Sequence, residues 1–223
     1  MARRVERVPV RDGYDRWSAS YDATPNPVVA LDRRHTLPAL EPRPGERILD
    51  AGCGTGAHLR ALRHSGCRPV GMDFSRGMLG VARRAAPEAW LVHADLEREF
   101  PLRRRVFDAV LSTLVSEHLT ELGAFFAEAF AVLRPGGRLV FSAFHPDPAR
   151  AGVEANFEEA GTEYRLGAEP YTVEDYLGRI EDAGFRALRF REYAPDDELL
   201  GALPAAAKYA GRPLLLLIGA ERP

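Results

Sequence analysis

Residues 48–59 read ILDAGCGTGAHL: a short apolar run, an acid, then glycines at alternate positions before an amphipathic stretch begins. A run of that length bounded by a glycine turn suits a buried strand. Gly52, Gly54 and Gly56 let the chain turn tightly and bring backbone close to a ligand with no side chain in the way. The following AHLRALRHSG has helical spacing and closes on Gly66, a favourable residue just past a helix end. A strand that feeds a helix through such a loop opens a βαβ unit, and the sequence repeats the unit downstream. RPVGMD is a second strand, and SRGMLGVARRAAP a helix with Ser75 as N-cap and Pro87 beyond its end. AWLVHAD, VFDAVLS and GRLVFSAF are three more strands, the last preceded by the helix ELGAFFAEAFAVL and its stop signal Pro135-Gly136-Gly137. Alternating strands and helices with right-handed crossovers predict an α/β protein built on a doubly wound, mostly parallel sheet.

Around this core lie two less regular regions. Residues 1–40 are polar, dotted with aromatics and broken by Pro25, Pro27 and Pro38, and read as an N-terminal helical cap on a domain spanning 41–223. Residues 146–170, rich in Glu and Gly, read as an irregular insertion. Thr172-Val173-Glu174-Asp175 has the form of a capping box opening a helix. ALRFREY and PLLLLIGAE then close the chain as strands; the second is too tightly bracketed by Pro213 and Gly219 to be a buried helix.

Composition narrows the function. The 223 residues, 46% hydrophobic and 28% charged, exclude bulk disorder and suffice for one cored domain. A net charge of −2 provides no global positive field for nucleic acid or an anionic membrane. Arg103-Arg104-Arg105 is the one basic cluster and reads as a solvated loop. Two cysteines, Cys53 and Cys67, are too few for a disulfide framework or a zinc cluster. The start has no apolar leader segment, and the longest apolar run, Leu214 to Ile218, is far short of a membrane span. The expectation is a soluble cytoplasmic protein.

A glycine loop between strand and helix suits a carboxylate or phosphate at the helix N-terminus. Asp73, ending the next strand, can accept both ribose hydroxyls of a nucleoside. Dinucleotides and S-adenosylmethionine both fit this layout. The dinucleotide fingerprint wants glycine at position 57, which is Ala57, and Asp50 before the loop is in place for a cationic ammonium group.

At this point the motifs resemble the class I (Rossmann-like) S-adenosylmethionine-dependent methyltransferases, in the small-molecule branch that includes ubiquinone/menaquinone-biosynthesis-like members. DAGCGTG is similar to their first motif, and Gly71-Met72-Asp73-Phe74-Ser75 with Met78 to their second. Ala94-Asp95-Leu96 is similar to the adenine-side motif, Phe107-Asp108-Ala109-Val110 with Ser112 to the motif of the fourth sheet strand, and Leu133-Arg134-Pro135-Gly136-Gly137 to the turn into the fifth. The resemblance implies a seven-stranded sheet whose last strand is antiparallel. It implies S-adenosylmethionine as cofactor and S-adenosylhomocysteine as product, a small-molecule acceptor, no metal, and a monomer or homodimer. The backbone from Gly52 through Cys53 to Gly54 would then hold the methionine moiety, Asp73 with Phe74 beside it the ribose, and Asp95 the adenine amino group. Met78 or Leu96 would pack on the adenine ring. The segment GYDRWSASYD resembles the opening of the same branch, in which Tyr21, or else Tyr14, would reach the methionine end. The plainer alternative is that Trp17 and both tyrosines only pack the cap onto the sheet.

In-line methyl transfer needs positioning and, for an acceptor with a proton to lose, a base with pKa near neutrality. Of the six histidines, His118 in SEHL and His145 in FHPDP follow strands that would border the acceptor, so they are the base candidates. His58 and His64 read as solvated and His93 as a strand-end cap. Glu117 is a further candidate, because Glu117-His118 resembles the Glu-His pair of the cyclopropane-synthase branch. The insertion 146–170 could line or lid the acceptor site, where Arg165 could clamp an anionic substrate. The alternatives are a nicotinamide-dependent oxidoreductase, which Ala57 disfavours, and a catalytically silent cofactor- or partner-binding module.

Overall fold

The computed structural model describes residues 4–223. Along the chain, β1 (Arg4–Arg7) and α1 (Val10–Trp17) lead to α2 (Pro27–Leu40). Then β2 (Arg47–Ala51), α3 (Ala57–His64), β3 (Arg68–Asp73), α4 (Arg76–Ala85) and β4 (Trp90–His93) form the first alternating half. The second half holds β5 (Phe107–Thr113), α5 (Leu122–Val132), β6 (Leu133–Phe144) and α6 (Pro146–Arg150). After it come β7 (Asn156–Glu159), β8 (Thr162–Arg165), α7 (Val173–Asp182), β9 (Arg186–Tyr193), α8 (Asp197–Ala202) and β10 (Leu215–Glu221).

Seven strands form one sheet in the order β4-β3-β2-β5-β6-β10-β9, parallel from β4 to β6, with β10 antiparallel to both neighbours. This is the expected doubly wound sheet with its last strand reversed. The strand order turns back on itself between β2 and β5, where open α/β sheets leave a crevice beyond the strands' carboxyl ends. Side chains alternate across the sheet and divide the core into two layers. Leu49, Val70, Met72, Val110 and Phe141 pack with Phe125, Phe126 and Ala129 of α5 and with Tyr176 and Ile180 of α7. Ile48, Ala109, Leu111 and Val140 point the other way, onto Leu40 of α2 and Leu62 of α3. Each large side chain so buried contributes about 1.5–3 kcal/mol.

Two segments depart from the sequence reading. Pro27–Leu40 belongs to the sheet layers rather than to the cap. Asn26 caps it, its Oδ1 accepting from Val28 N at 3.1 Å, and Pro27 fills a first-turn position where an N–H would have no helical partner. Pro38 falls in the last turn, so these prolines bracket a helix instead of breaking one. The second departure is 146–170, which holds α6 and a hairpin, β7–β8, where irregular chain was expected. The hairpin turns on Ala160 and Gly161 at φ 49° and 78°, the pair of positive angles that a tight two-residue turn needs. Its charged strands, NFEE and TEYR, lack the apolar alternation by which a strand is recognised. β8 also pairs in parallel with β1, and Trp17 stacks on Phe157 with ring centroids 5.4 Å apart, so α1 and the insertion form one lid.

Candidate active site

The loop after β2 is held against β3 by Gly52 N and Cys53 N, which donate to the Met72 carbonyl at 2.7 and 3.1 Å. Gly52 sits at φ 85°, and a Cβ there would meet Val115 Cγ1 at 2.3 Å; one on Gly56 would meet Ala82 Cα at 3.0 Å. The first glycine therefore keeps the loop open beside the segment after β5, and the other lets α3 pack on α4. Asp73, at the end of β3, is buried, and its two oxygens accept from Gly54 N at 2.9 Å and from Ser75 N at 2.8 Å. Burial raises its pKa, the backbone donors opposing it only in part. Ser75 caps α4 by accepting from Met78 N at 3.1 Å, as expected. Its hydroxyl also donates to Asp15 Oδ1 at 2.6 Å, and Gly77 N donates to the same oxygen at 2.8 Å. Asp15 thus clamps α1 onto the start of α4. The sequence reading passed over it, although it lies within the GYDRWSASYD segment.

These elements enclose a cavity of about 550 Å³ at the carboxyl ends of β2, β3 and β5. Gly52, Gly54, Asp73, Phe74, Met78, Asp95 and Leu96 all line it, together with Tyr14, Tyr21 and His118. Asp95 Oδ1 accepts from Glu97 N at 3.1 Å, and Arg11 reaches Asp95 Oδ2 at 3.3 Å while lying 5.3 Å from the centre of the Phe74 ring. Tyr14 Oη and His118 Nε2 are 2.9 Å apart. Burial raises the pKa of both tyrosines, and it lowers that of His118 against the opposing charge of Glu117. At neutral pH the site therefore holds two phenols and a neutral imidazole.

A second cavity, of about 250 Å³, shares Tyr14, Tyr21 and Leu114 with the first and opens beneath the lid. Leu114 has φ 52°, a left-handed conformation that costs a non-glycine residue about 1–3 kcal/mol and marks functional loops. Its N–H donates to the Ser142 carbonyl at 2.9 Å, which pins the strained residue between the cavities. The neighbouring turn, Ser116–His118, presents His118 to the first cavity and Glu117 to the second.

Other expected site residues lie elsewhere. Asp50 shares the Ile48 face of β2 and so points at the α2/α3 layer; it is 1% exposed and lines neither cavity. Neither of its oxygens has a hydrogen-bond partner. Burial, opposed by His58 and reinforced by Asp32 and Asp73, pushes its pKa up to about 7. His58 is not solvated but buried, its Nε2 2.8 Å from Asp32 Oδ2. Asp32 Oδ1 accepts from Thr36 Oγ1 and Ser142 Oγ, both at 2.6 Å. Burial pulls the His58 pKa down, but Asp32 and Asp50 outweigh it and leave it raised. Cys53 turns its side chain into the core between α3 and α4, where burial drives its thiol pKa well up; only its backbone belongs to the loop. Ser112 faces the core and donates to the Ala51 carbonyl at 2.8 Å, tying β5 to β2.

His145, expected beside the acceptor, has a structural role instead. It is the N-cap of α6, with Nδ1 accepting from Asp147 N at 3.2 Å and Nε2 2.9 Å from Glu192 Oε1 on β9. The ring reaches β9 and lines neither cavity, although Phe144 just before it lines the second. Arg165 is engaged by Glu163 at 2.8 Å and lies 3.8 Å from Glu154, so it does not stand ready as an anion clamp. Among the described residues, no group of three or more His, Cys, Asp or Glu is placed to hold a metal ion, and no helix is long and apolar enough to cross a membrane.

Residues 49–141 match the family model described as a methyltransferase domain. The chain is 35% identical over 196 residues to a demethylmenaquinone methyltransferase of Thermus thermophilus, an alignment that covers 84% of each chain. It is 37% identical over 141 residues to a malonyl-[acyl-carrier protein] O-methyltransferase of Serratia marcescens, covering 62% of this chain and 53% of that one. The chain therefore spans about half the length of some curated relatives that it matches. Among solved structures, an S-adenosylmethionine-dependent methyltransferase from Mesorhizobium loti superposes with a TM-score of 0.67 at 27% identity, over 95% of this chain and 99% of that one.

Proposed function

The chain belongs to the class I S-adenosylmethionine-dependent methyltransferases, and from that premise we propose that the first cavity holds S-adenosylmethionine and the second a small-molecule acceptor. Asp73 carries the reading: a buried carboxylate on the cavity wall, beside the glycine loop, offers acceptor capacity that a ribose diol can fill. The apolar slot of Phe74, Met78 and Leu96 suits adenine, and Asp95 at its edge can accept from the adenine amino group. The Gly52–Gly54 backbone, free of Cβ atoms at the glycines, suits the methionine end. When bound, the cofactor supplies an electrophilic methyl on a sulfonium, and sulfur keeps the bonding pair as an acceptor O, N or C takes the carbon.

Tyr14, Tyr21 and Leu114 stand where the two ligands would meet. The phenols stay protonated at neutral pH and can orient either ligand by donating. His118, kept neutral by burial, can take a proton from the acceptor by way of Tyr14. Rate enhancement then comes from holding the pair in line and excluding water, and the reading needs no metal. Calorimetric titration with S-adenosylmethionine, S-adenosylhomocysteine and NAD(H) tests it. The first two are expected to bind and NAD(H) not; binding of NAD(H) alone overturns the proposal.

A further inference from the structure

We infer that Asp50, buried behind the glycine loop and touching no ligand, makes the first cavity favour the sulfonium of S-adenosylmethionine over the neutral sulfur of S-adenosylhomocysteine, by losing its proton to solvent when the cation is bound. The inference rests on the methyltransferase reading above and deepens it, since it concerns how the site tells reactant from product. Three observations carry it. The first is place. Asp50 lies on β2 two residues before Gly52, which lines the cavity, and is itself 1% exposed. A charge acts across such a separation because Coulomb energy falls only with the first power of distance and the interior screens it weakly. The cavity's field already reaches this residue: Asp73, on the cavity wall, helps to raise the Asp50 pKa. A cation in the cavity acts with the opposite sign.

The second observation is the bonding. Asp73 accepts from Gly54 N and Ser75 N, and Asp32 from Thr36 and Ser142, so fixed donors hold both of these carboxylates. Asp50 has no donor on either oxygen. Its partners in register on the flanking strands, Gly71 and Leu111, bring no charge. The groups that face it are His58 from α3, Asp32 from α2, Asp73 from β3 and the Cys53 thiol, which burial keeps protonated; Arg33 of α2 opposes the charge of His58. Burial and these charges leave the Asp50 pKa at about 7. Near neutrality the local field alone decides its protonation.

The third observation is the charge on the cavity wall. Asp73, Asp95 and Glu97 line it against one arginine, Arg11, which is engaged by Asp95 at 3.3 Å. The two cofactor forms share adenine, ribose, ammonium and carboxylate, and differ by one methyl group and one positive charge. Electrostatics is therefore the means by which the site can separate them. An ionised Asp50 strengthens the hold on the cation alone. Once the sulfonium charge is gone, Asp50 takes a proton back from solvent, and the extra hold is not extended to the product.

Calorimetric titration of S-adenosylmethionine and S-adenosylhomocysteine at pH 6.5, each in two buffers of different ionisation enthalpy, counts the protons released. At that pH the ligand's own ammonium, an α-amino group with pKa about 7.8, stays protonated. If the cation brings the Asp50 pKa from about 7 to about 6, S-adenosylmethionine releases about half a proton more than S-adenosylhomocysteine. The ratio of the two affinities then rises about fourfold between pH 6 and about pH 7.5. In Asp50→Asn the extra release is expected to fall below about 0.1 proton and the ratio to stay flat, with S-adenosylhomocysteine affinity within about twofold of wild type. His58→Asn removes the opposing cation and should move the release to higher pH without abolishing it. The inference is overturned if the two ligands release equal protons in the wild-type protein, if the extra release survives in Asp50→Asn, or if His58→Asn abolishes it at every pH. Should a variant fail to fold, the wild-type affinity ratio across pH still decides, and a flat ratio overturns the inference. Failure of S-adenosylhomocysteine itself to bind would instead sink the methyltransferase reading.

Discussion

Replacing Asp50 with asparagine should make the ligand-free protein more stable at neutral and alkaline pH, but not in acid. The carboxylate is 1% exposed with both oxygens unpartnered, and its pKa is pushed from 3.8 up to about 7. A raised carboxylate pKa means that the folded state holds its proton longer than the unfolded one. Stability from this group is therefore full below about pH 4 and lost as pH climbs to about 7, a difference of about 4 kcal/mol. His58 changes in the same direction: its raised pKa gives stability that is present below about pH 6.5 and lost above. Asparagine has nearly the same shape and no charge, so it removes the first penalty but also the support that Asp50 lends to protonated His58. The net gain should be roughly 2–4 kcal/mol at about pH 8 and close to zero at about pH 4.5. Urea unfolding of both proteins at the two pH values, with unchanged denaturant slopes, measures it. A variant no more stable than wild type at pH 8, or one with the same gain at both pH values, refutes the reasoning.

Asp73→Asn keeps the side-chain volume but removes the charge and one acceptor, and should weaken S-adenosylhomocysteine binding by at least about tenfold in calorimetry. Gly52→Ala places a Cβ against Val115 in a left-handed backbone conformation and should lower Tm by about 5–10 °C in a thermal melt. His145→Ala should lower Tm by roughly 2–6 °C through loss of the α6 cap, with S-adenosylhomocysteine affinity within about twofold of wild type. If His118 is the base, burial keeps it unprotonated to lower pH than an exposed imidazole, so the acid limb of the pH–rate profile should fall below about pH 6.5.

Much of this molecule was legible because the information is local. The strand–glycine loop–helix at 48–59, the Ser75 cap, the Thr172/Asp175 capping box and the Gly66 stop each depend on residues within one turn of each other. Local chemistry settled their structure, and their repetition settled the parallel sheet. The same holds for the cavity floor, since Asp73, Phe74, Met78, Asp95 and Leu96 follow strands whose ends the sheet aligns. Other features depend on residues far apart. The β7–β8 hairpin has charged strands and is stabilised by β1, more than 140 residues earlier in the chain. His145 looks like a pocket residue until β9 supplies Glu192. Asp50 and Asp73 look alike in sequence, each an acid at or near the end of a strand beside the glycine loop. Only the packing of α2 and α3 on one face of β2 separates them: it seals Asp50 into the core beside His58, while Asp73 stays on the cavity wall. Which face of a strand is buried, and by what, is decided by segments brought together from distant parts of the chain, and no window of neighbouring residues contains that information.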